Sequence, residues 1–475
     1  MKMKILILLI TLFFSVSTIF AQEKKTLAVN SIQEQKTELI SLSKKIWSFA
    51  ETSLQETNSA KLLADYAEKQ GFKVERGVAE LPTGFIASYG EGKPVIAIVG
   101  EFDALPGLSQ KVSSTKETFL QGQAGHGCGH NLFGTASLGA AVAIKDMIAI
   151  GSLKGTIRFY GTPAEEAYDG KAYMVRAGLF KDVDVCLAWH PREMTRADTQ
   201  STKALVNIYV EFRGKTAHAS RDPWNGRSAL DALELFTHGV NLMREHVKQS
   251  VRMHYVIRKG GEAPNVVPDY AMVELWIRDS TGKGVNEVLE RVRKLATGAA
   301  LMAEVEPSLS LQGGAYNLLV NQTGAKMLYE NMKKLGDIDY SPEEQEFARQ
   351  IQIAVGVEPK GMNSTLQPLE EPIEDPPGAS TDLGDVSWNV PTLHISVTTA
   401  PEGVPWHSWP VVACAGMSIG EKGMLHAAKS LAVSMVELFE DSRLRETIRT
   451  EFNEKTRGHV YKPYIPDGPP PKVSR

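Results

Sequence analysis

Three short apolar runs, Pro94–Val99, Thr156–Tyr160 and Val183–Trp189, lack the regular alternation of a strand that keeps one face in water. Strands apolar on both faces need a covering layer on each side of their sheet, which is the situation of parallel strands linked by helices. Between the first two runs lies an Ala-rich stretch, Leu132–Ile150, that reads as a buried helix. Strand and helix therefore alternate, and the expected fold is α/β, a mostly parallel sheet with helices on both faces. Each run empties into polar residues. The first is followed by Gly100-Glu101-Phe102-Asp103, the second by Gly161-Thr162-Pro163-Ala164-Glu165-Glu166, and the third by His190. Open α/β sheets build their sites beyond the carboxyl ends of the strands, so Asp103, Glu165, Glu166 and His190 are expected along one edge.

The run Gly125-His126-Gly127-Cys128-Gly129-His130-Asn131 opens the Ala-rich helix and belongs to the same edge. Cys128 and His130, two apart, converge on one point only in a tight turn, and glycine supplies that freedom. A soft sulfur and an imidazole nitrogen together suit a transition metal. Adjacent Glu165 and Glu166 can divide their work, one binding an ion and the other acting as a base, which is what metal-assisted hydrolysis requires. Taken singly, each feature also has a bland reading: a solvated acidic turn for Glu165-Glu166, a core histidine for His190, an aromatic-anchored loop for His407 in Trp406-His407-Ser408-Trp409. Taken together, Cys128, His130, Glu166, His190 and His407 are more ligands than one tetrahedral zinc uses and suit two ions.

From Ala204 the pattern changes. Ala204–Phe212 alternates, and strands at 253–258, 270–277 and 308–312 with helices at about 226–246 and 284–303 complete a β-α-β-β-α-β order like that of a ferredoxin-like sandwich. The expected organisation is a catalytic domain in two parts, 22–202 and 316–460, an inserted α+β domain, 203–315, and a loose Pro-rich tail, 461–475. Residues 1–21, with Lys2 and Lys4 before an apolar run ending at Phe20 and Ala21, read as a signal peptide, with a retained membrane anchor as the alternative. The expected location is secreted or periplasmic. The chain carries 52 Lys and Arg against 56 Asp and Glu, which argues against a nucleic-acid partner. Three cysteines are too few for a disulfide framework; a Cys186–Cys414 bridge is the one pairing to weigh against two core residues.

These motifs, with Ala217-His218-Ala219, Pro264-Asn265-Val-Val-Pro268 and Ala379-Ser-Thr-Asp382-Leu-Gly-Asp-Val-Ser-Trp388, resemble those of the co-catalytic metallopeptidases that include aminoacylase, glutamate carboxypeptidase and the auxin-conjugate amidohydrolases. The resemblance covers almost the whole chain beyond residue 21. It implies two divalent ions, zinc or manganese, held by Cys128, His130, Glu166, His190 and His407, a hydroxide nucleophile made on them, and Glu165 as base. It also implies that Asp103 and Asp382 orient these groups from behind, that His218 polarises the scissile carbonyl, in some relatives across a dimer, and that Asn265 and Arg278 hold the substrate's α-carboxylate. The insert would serve as lid and dimerisation domain. This chain departs from many relatives in having Glu101-Phe102-Asp103 for His-x-Asp, Cys128 for Asp, and Asn131 where some carry Asp. The thiolate favours zinc, while carboxylate-rich relatives favour manganese or cobalt. The expected substrate is a small-molecule amide of an amino acid, p-aminobenzoyl-glutamate first, and the expected assembly is a homodimer or a hetero-oligomer with a related chain. The alternatives are a dipeptidase, an N-acyl amino acid deacylase, or a non-catalytic binding subunit.

Overall fold

In the computed structural model the residues described with their side chains are 22–472, and the expected signal segment, 1–21, lies outside them. Among the described residues there are eleven strands: β1 (Lys73–Arg76), β2 (Phe85–Gly90), β3 (Val95–Gly100), β4 (Thr156–Gly161), β5 (Val185–Arg192), β6 (Arg196–Ala197), β7 (Ala204–Arg213), β8 (Arg252–Lys259), β9 (Tyr270–Asp279), β10 (Glu306–Ala315) and β11 (Thr392–Thr398). They pair into a seven-stranded sheet of order β1-β2-β4-β3-β5-β11-β6 and a four-stranded sheet of order β10-β7-β9-β8.

The apolar runs are the parallel centre of the larger sheet, β4-β3-β5-β11. β1, β2 and β6 join its edges antiparallel. Register decides where the chemistry goes. Gly100 lies opposite Gly161, Ile98 opposite Leu187 and His190 opposite Ser396, so four parallel strands end level along one edge. The helices Lys2–Phe49, His130–Ala149 and Ser418–Glu440 pack on one another over the sheet. His130–Ala149 is long and apolar enough to cross a membrane, but its side chains are buried in the core.

Apolar residues recur at helical spacing across 32–70 (Ile40, Leu42, Ile46, Trp47, then Leu62, Leu63, Tyr66), and they belong to two helices. The first ends at Phe49, Ala50 takes a left-handed backbone (φ 45), and the second spans Thr57–Lys69. The link between them carries Ser53 and Glu56, both buried. Two buried polar side chains in a link need partners, and both find them at the carboxyl edge.

The smaller sheet is antiparallel throughout. Its central strand β7 alternates buried and half-buried side chains because only one face is covered, by the helices Ala229–Met243 and Gly282–Ala303. Val206, Ile208, Val210 and Phe212 enter a hydrophobic core separate from that of the large sheet. One end of this unit, where Ala204 pairs with Asp279, adjoins the large sheet, and the other, where Arg213 pairs with Tyr270, is distal.

The expected loose tail is docked instead. Tyr464 stacks on Tyr316 at 4.9 Å and its hydroxyl bonds Gly282 O and Asn286, the Tyr461 hydroxyl donates to Asp385 at 2.7 Å, and Arg176 donates to Pro466 O at 2.8 Å. Proline-rich composition removes backbone donors, but the two tyrosines among the prolines supply their own ring area and hydroxyls. Cys186 and Cys414 are both free and buried, so the bridge weighed above is not formed.

Candidate active site

The turn before His130 works as its composition requires. Gly129 has φ 78, and a Cβ there would lie 2.9 Å from Pro191 Cβ, so only glycine lets Cys128 and His130 approach from adjacent positions. Ala164 (φ 61), directly before Glu165, and His407 itself (φ 55) are also left-handed without being glycine. Such backbone costs on the order of 1–3 kcal/mol per residue and persists where surrounding contacts hold it. At Ala164 the contact is visible, because its N–H donates to the buried Glu56 at 2.9 Å.

Cys128, His130 and His190 place one ligand atom each within 4.8 Å of one another; so do Cys128, Glu166 and His407, and so do Glu101, His130 and Glu165. Cys128 Sγ is 3.4 Å from His190 Nε2, and His190 Nδ1 donates to Pro191 O at 2.7 Å, which leaves Nε2 as the ring's lone-pair atom. His130 Nδ1 donates to Asp103 at 2.9 Å, so its Nε2 faces Glu101 Oε2 at 3.1 Å and Glu166 Oε1 at 4.0 Å. The second oxygen of Asp103 accepts from Ser53 and from the Glu166 N–H, at 2.8 and 2.9 Å. Asp103 thus ties one histidine, the Glu166 turn and the link after the first helix into a single unit. His407 Nε2 reaches Glu166 Oε2 at 3.5 Å from a side chain that is 54% exposed, which marks the mouth of the site.

A cation fits this donor set. Glu101 Oε2, His130 Nε2 and Glu166 Oε1 are buried and have no hydrogen-bond partner, while pointing toward one another. Buried polar atoms without partners cost free energy, and a shared metal satisfies all three. Charge leads to the same conclusion. Glu101, Asp103, Glu165, Glu166 and Asp382 carry five carboxylates around one ammonium, that of Lys171. Burial and then the neighbouring Glu101 and Glu166 charges push Glu165 well above the usual carboxylate range. Burial pushes Glu166 up to about 7, and burial with the Glu166 charge pushes the Cys128 thiol up to about 12. His190 moves well below its ordinary value, first by burial and then by the Arg192 charge, which keeps it a neutral donor. Burial also opposes a charged His130, yet the Glu101 charge and the hydrogen bond to Asp103 raise it well above normal.

The residues expected from the sequence divide into two groups. Cys128, His130, Glu165, Glu166, His190, His407 and Asp103 come together. Asp382 touches Lys171, not the ligands: Lys171 Nζ lies 2.6 Å from both Asp382 Oδ1 and Glu101 Oε1. His218 and Asn265 sit together on exposed loops at the distal end of the small sheet, where His218 bridges to Val266 and Ala219 N–H donates to Asn265 O at 3.1 Å. Arg278 is at the other end, eight residues along β9 from Tyr270, roughly 27 Å at a strand's rise per residue. Within one chain Asn265 and Arg278 therefore do not reach the same carboxylate. Glu101, Lys171, Glu56 and Ser53 are the participants that pattern reading passes over. Lys171 is wholly buried, directly before the apolar run Ala172-Tyr173-Met174-Val175, and nothing in that segment announces its partners.

A parallel-sheet edge carrying paired glutamates against a Cys/His/Glu cluster defines a metal-dependent hydrolase of amide or peptide bonds. Residues 97–428 match peptidase family M20/M25/M40. Over 92% of its length the chain is 38% identical to one of the subunits of p-aminobenzoyl-glutamate hydrolase from Escherichia coli (strain K12), 96% of which is covered. Over 91% it is 27% identical to the Xaa-Arg dipeptidase of Homo sapiens, 92% of which is covered. Among solved structures, a dinuclear metal binding peptidase of the M20 family from Bacillus subtilis matches with a TM-score of 0.58 at 20% identity, covering 86% of this chain and 99% of that one. The chain belongs to peptidase family M20/M25/M40.

Proposed function

We propose that the protein hydrolyses the amide between an aryl or acyl group and an amino acid, with p-aminobenzoyl-glutamate as the first substrate to test. The observation that carries this reading is Glu165. It stands within 4.8 Å of the Glu101 and His130 donor atoms, and burial followed by the Glu101 and Glu166 charges raises its carboxyl well above the ordinary range, which makes it a stronger base than a free carboxylate. Cys128, His130, Glu166, His190 and His407 would hold two divalent ions, zinc or manganese. Bound there, such ions would supply Lewis-acid polarisation of the scissile carbonyl and would acidify the attacking water toward a pKa of about 7. Glu165 accepts the proton of the attacking water and returns it to the leaving nitrogen. Asp103 holds His130 and the Glu166 turn in place while this happens. The count of five carboxylates to one ammonium supports two dications over one.

His218 and Asn265, at the distal end of the small sheet, would serve the site of a neighbouring chain, and Arg278 that of its own. This arrangement makes the active form an oligomer, either of this chain alone or with a related one, since the E. coli relative is named as one subunit of its hydrolase. The N-terminal segment would direct it to the periplasm or outside the cell. A hydrolysis screen of aryl-glutamates, acyl amino acids and dipeptides, with metal content measured on the same sample, tests the reading. Turnover of an aryl-glutamate by the protein alone supports it, and turnover of cationic dipeptides in preference to aryl-glutamates contradicts it.

A further inference from the structure

Arg192 closes β5 two residues after His190 and is half-buried. Its guanidinium lies over the Trp406 ring at 5.5 Å, and Trp406 in turn meets His190 edge-on at 6.3 Å. Trp406 directly precedes His407, so the arginine stands at the mouth of the ligand cluster. Its backbone is fixed there: Arg192 pairs with Thr398 in the sheet, and its carbonyl accepts the Thr399 N–H at 2.7 Å. Among the described residues no carboxylate lies within ion-pair distance of its side chain, although Arg196, four residues on, is paired with Asp198 at 2.7 Å. A guanidinium that is stacked, half-desolvated and unpaired keeps its in-plane N–H fork for an incoming anion.

We propose that Arg192 is a specificity-determining residue that binds the side-chain carboxylate of an acidic amino acid held at the metal site. This deepens the amidohydrolase reading and rests on it: with Arg278 taken for the α-carboxylate, as proposed for the function, Arg192 would be the second cation that a dicarboxylic amino acid requires. Neutral conjugates would leave the Arg192 fork unanswered, and cationic ones would meet like charge.

The test compares N-aroyl-glutamate with N-aroyl-glutamine, which differ in charge but hardly in shape, on the metal-loaded wild type, Arg192→Lys and Arg192→Gln. Calorimetric binding of free L-glutamate and L-glutamine is measured on the same samples, and metal content confirms that the cluster is intact. The wild type should favour glutamate in both assays. Arg192→Gln should lower kcat/KM for the glutamate conjugate roughly tenfold to a hundredfold, mainly through KM, as expected for loss of one charge-assisted pair, and should leave the glutamine conjugate within about threefold. Arg192→Lys should fall between. Hydrolysis with an unchanged glutamate-to-glutamine ratio in Arg192→Gln overturns the assignment of Arg192 while leaving the amidohydrolase reading intact. Glutamate-selective binding that depends on Arg192, in a protein that hydrolyses neither conjugate, supports the subsite and overturns the activity.

Discussion

Lys171 Nζ and Glu101 Oε1 are 2.6 Å apart with both side chains buried, and the same ammonium lies 2.6 Å from Asp382. The Lys171 backbone N–H also donates to Asp382, at 2.8 Å. One lysine therefore holds two buried carboxylates, and the free oxygen of one of them faces His130. Removing one partner of a buried ion pair leaves uncompensated charge at a cost of about 3–5 kcal/mol. Lys171→Met should lose stability of that order in chemical denaturation of the metal-free protein. A loss below about 1 kcal/mol would mean that the carboxylates find other compensation.

The site also carries a pH signature. Glu56 is pushed up to about 8, by burial first and by the Asp103 charge second. A carboxyl whose folded pKa lies above its unfolded value of 4.5 binds a proton in the native state that the unfolded chain has released. Its contribution is complete below about pH 4.5 and is lost as pH rises through about 8. Metal-free protein should lose stability across that window, and Glu56→Gln should lose less because its neutral side chain does not titrate. Parallel stability-pH curves for the two proteins would exclude Glu56 as the source.

Metal uptake should release protons. Without a cation the Cys128 thiol, at about 12, holds its proton near neutral pH and Glu166, at about 7, is about half protonated; ligation removes these protons. Calorimetric titration of the stripped protein with zinc in buffers of different ionisation enthalpy counts the protons. Cys128→Ala should release about one fewer, and an unchanged count would remove Cys128 from the ligand set.

How much of the molecule is legible in its sequence depends on how local each signal is. Cys128, His130, Glu165, Glu166 and His190 are legible because apolar strands of limited length end abruptly in polar residues, and sheet register then brings those ends level. The β-α-β-β-α-β insert is legible because period-2 and period-3.6 patterns alternate cleanly within it. Lys171 is not, since its partners Glu101 and Asp382 are 70 and 211 positions away and nothing in its own segment demands them. Glu56 and Ser53 merge into one long helical pattern because the break at Ala50 is made by an alanine in a left-handed conformation, with no proline or glycine to announce it. The tail misleads for a related reason: its composition suggests looseness, but Tyr461 and Tyr464 dock against Asp385 and Tyr316, which are distant in sequence. The separation of Asn265 from Arg278 depends on strand length and on which end of β9 each approaches, and motif order does not encode either.

The proposed chemistry stands or falls on Glu165 carrying the proton while its neighbours carry the metals. Glu165→Gln separates the two roles, with metal content by elemental analysis and kcat on an aryl-glutamate taken from the same preparation. Metal stoichiometry should equal that of the wild type, and kcat should fall by about 10²–10⁴, the usual share of a general base. Wild-type turnover in Glu165→Gln, or loss of turnover only in step with loss of metal, would contradict that division of roles.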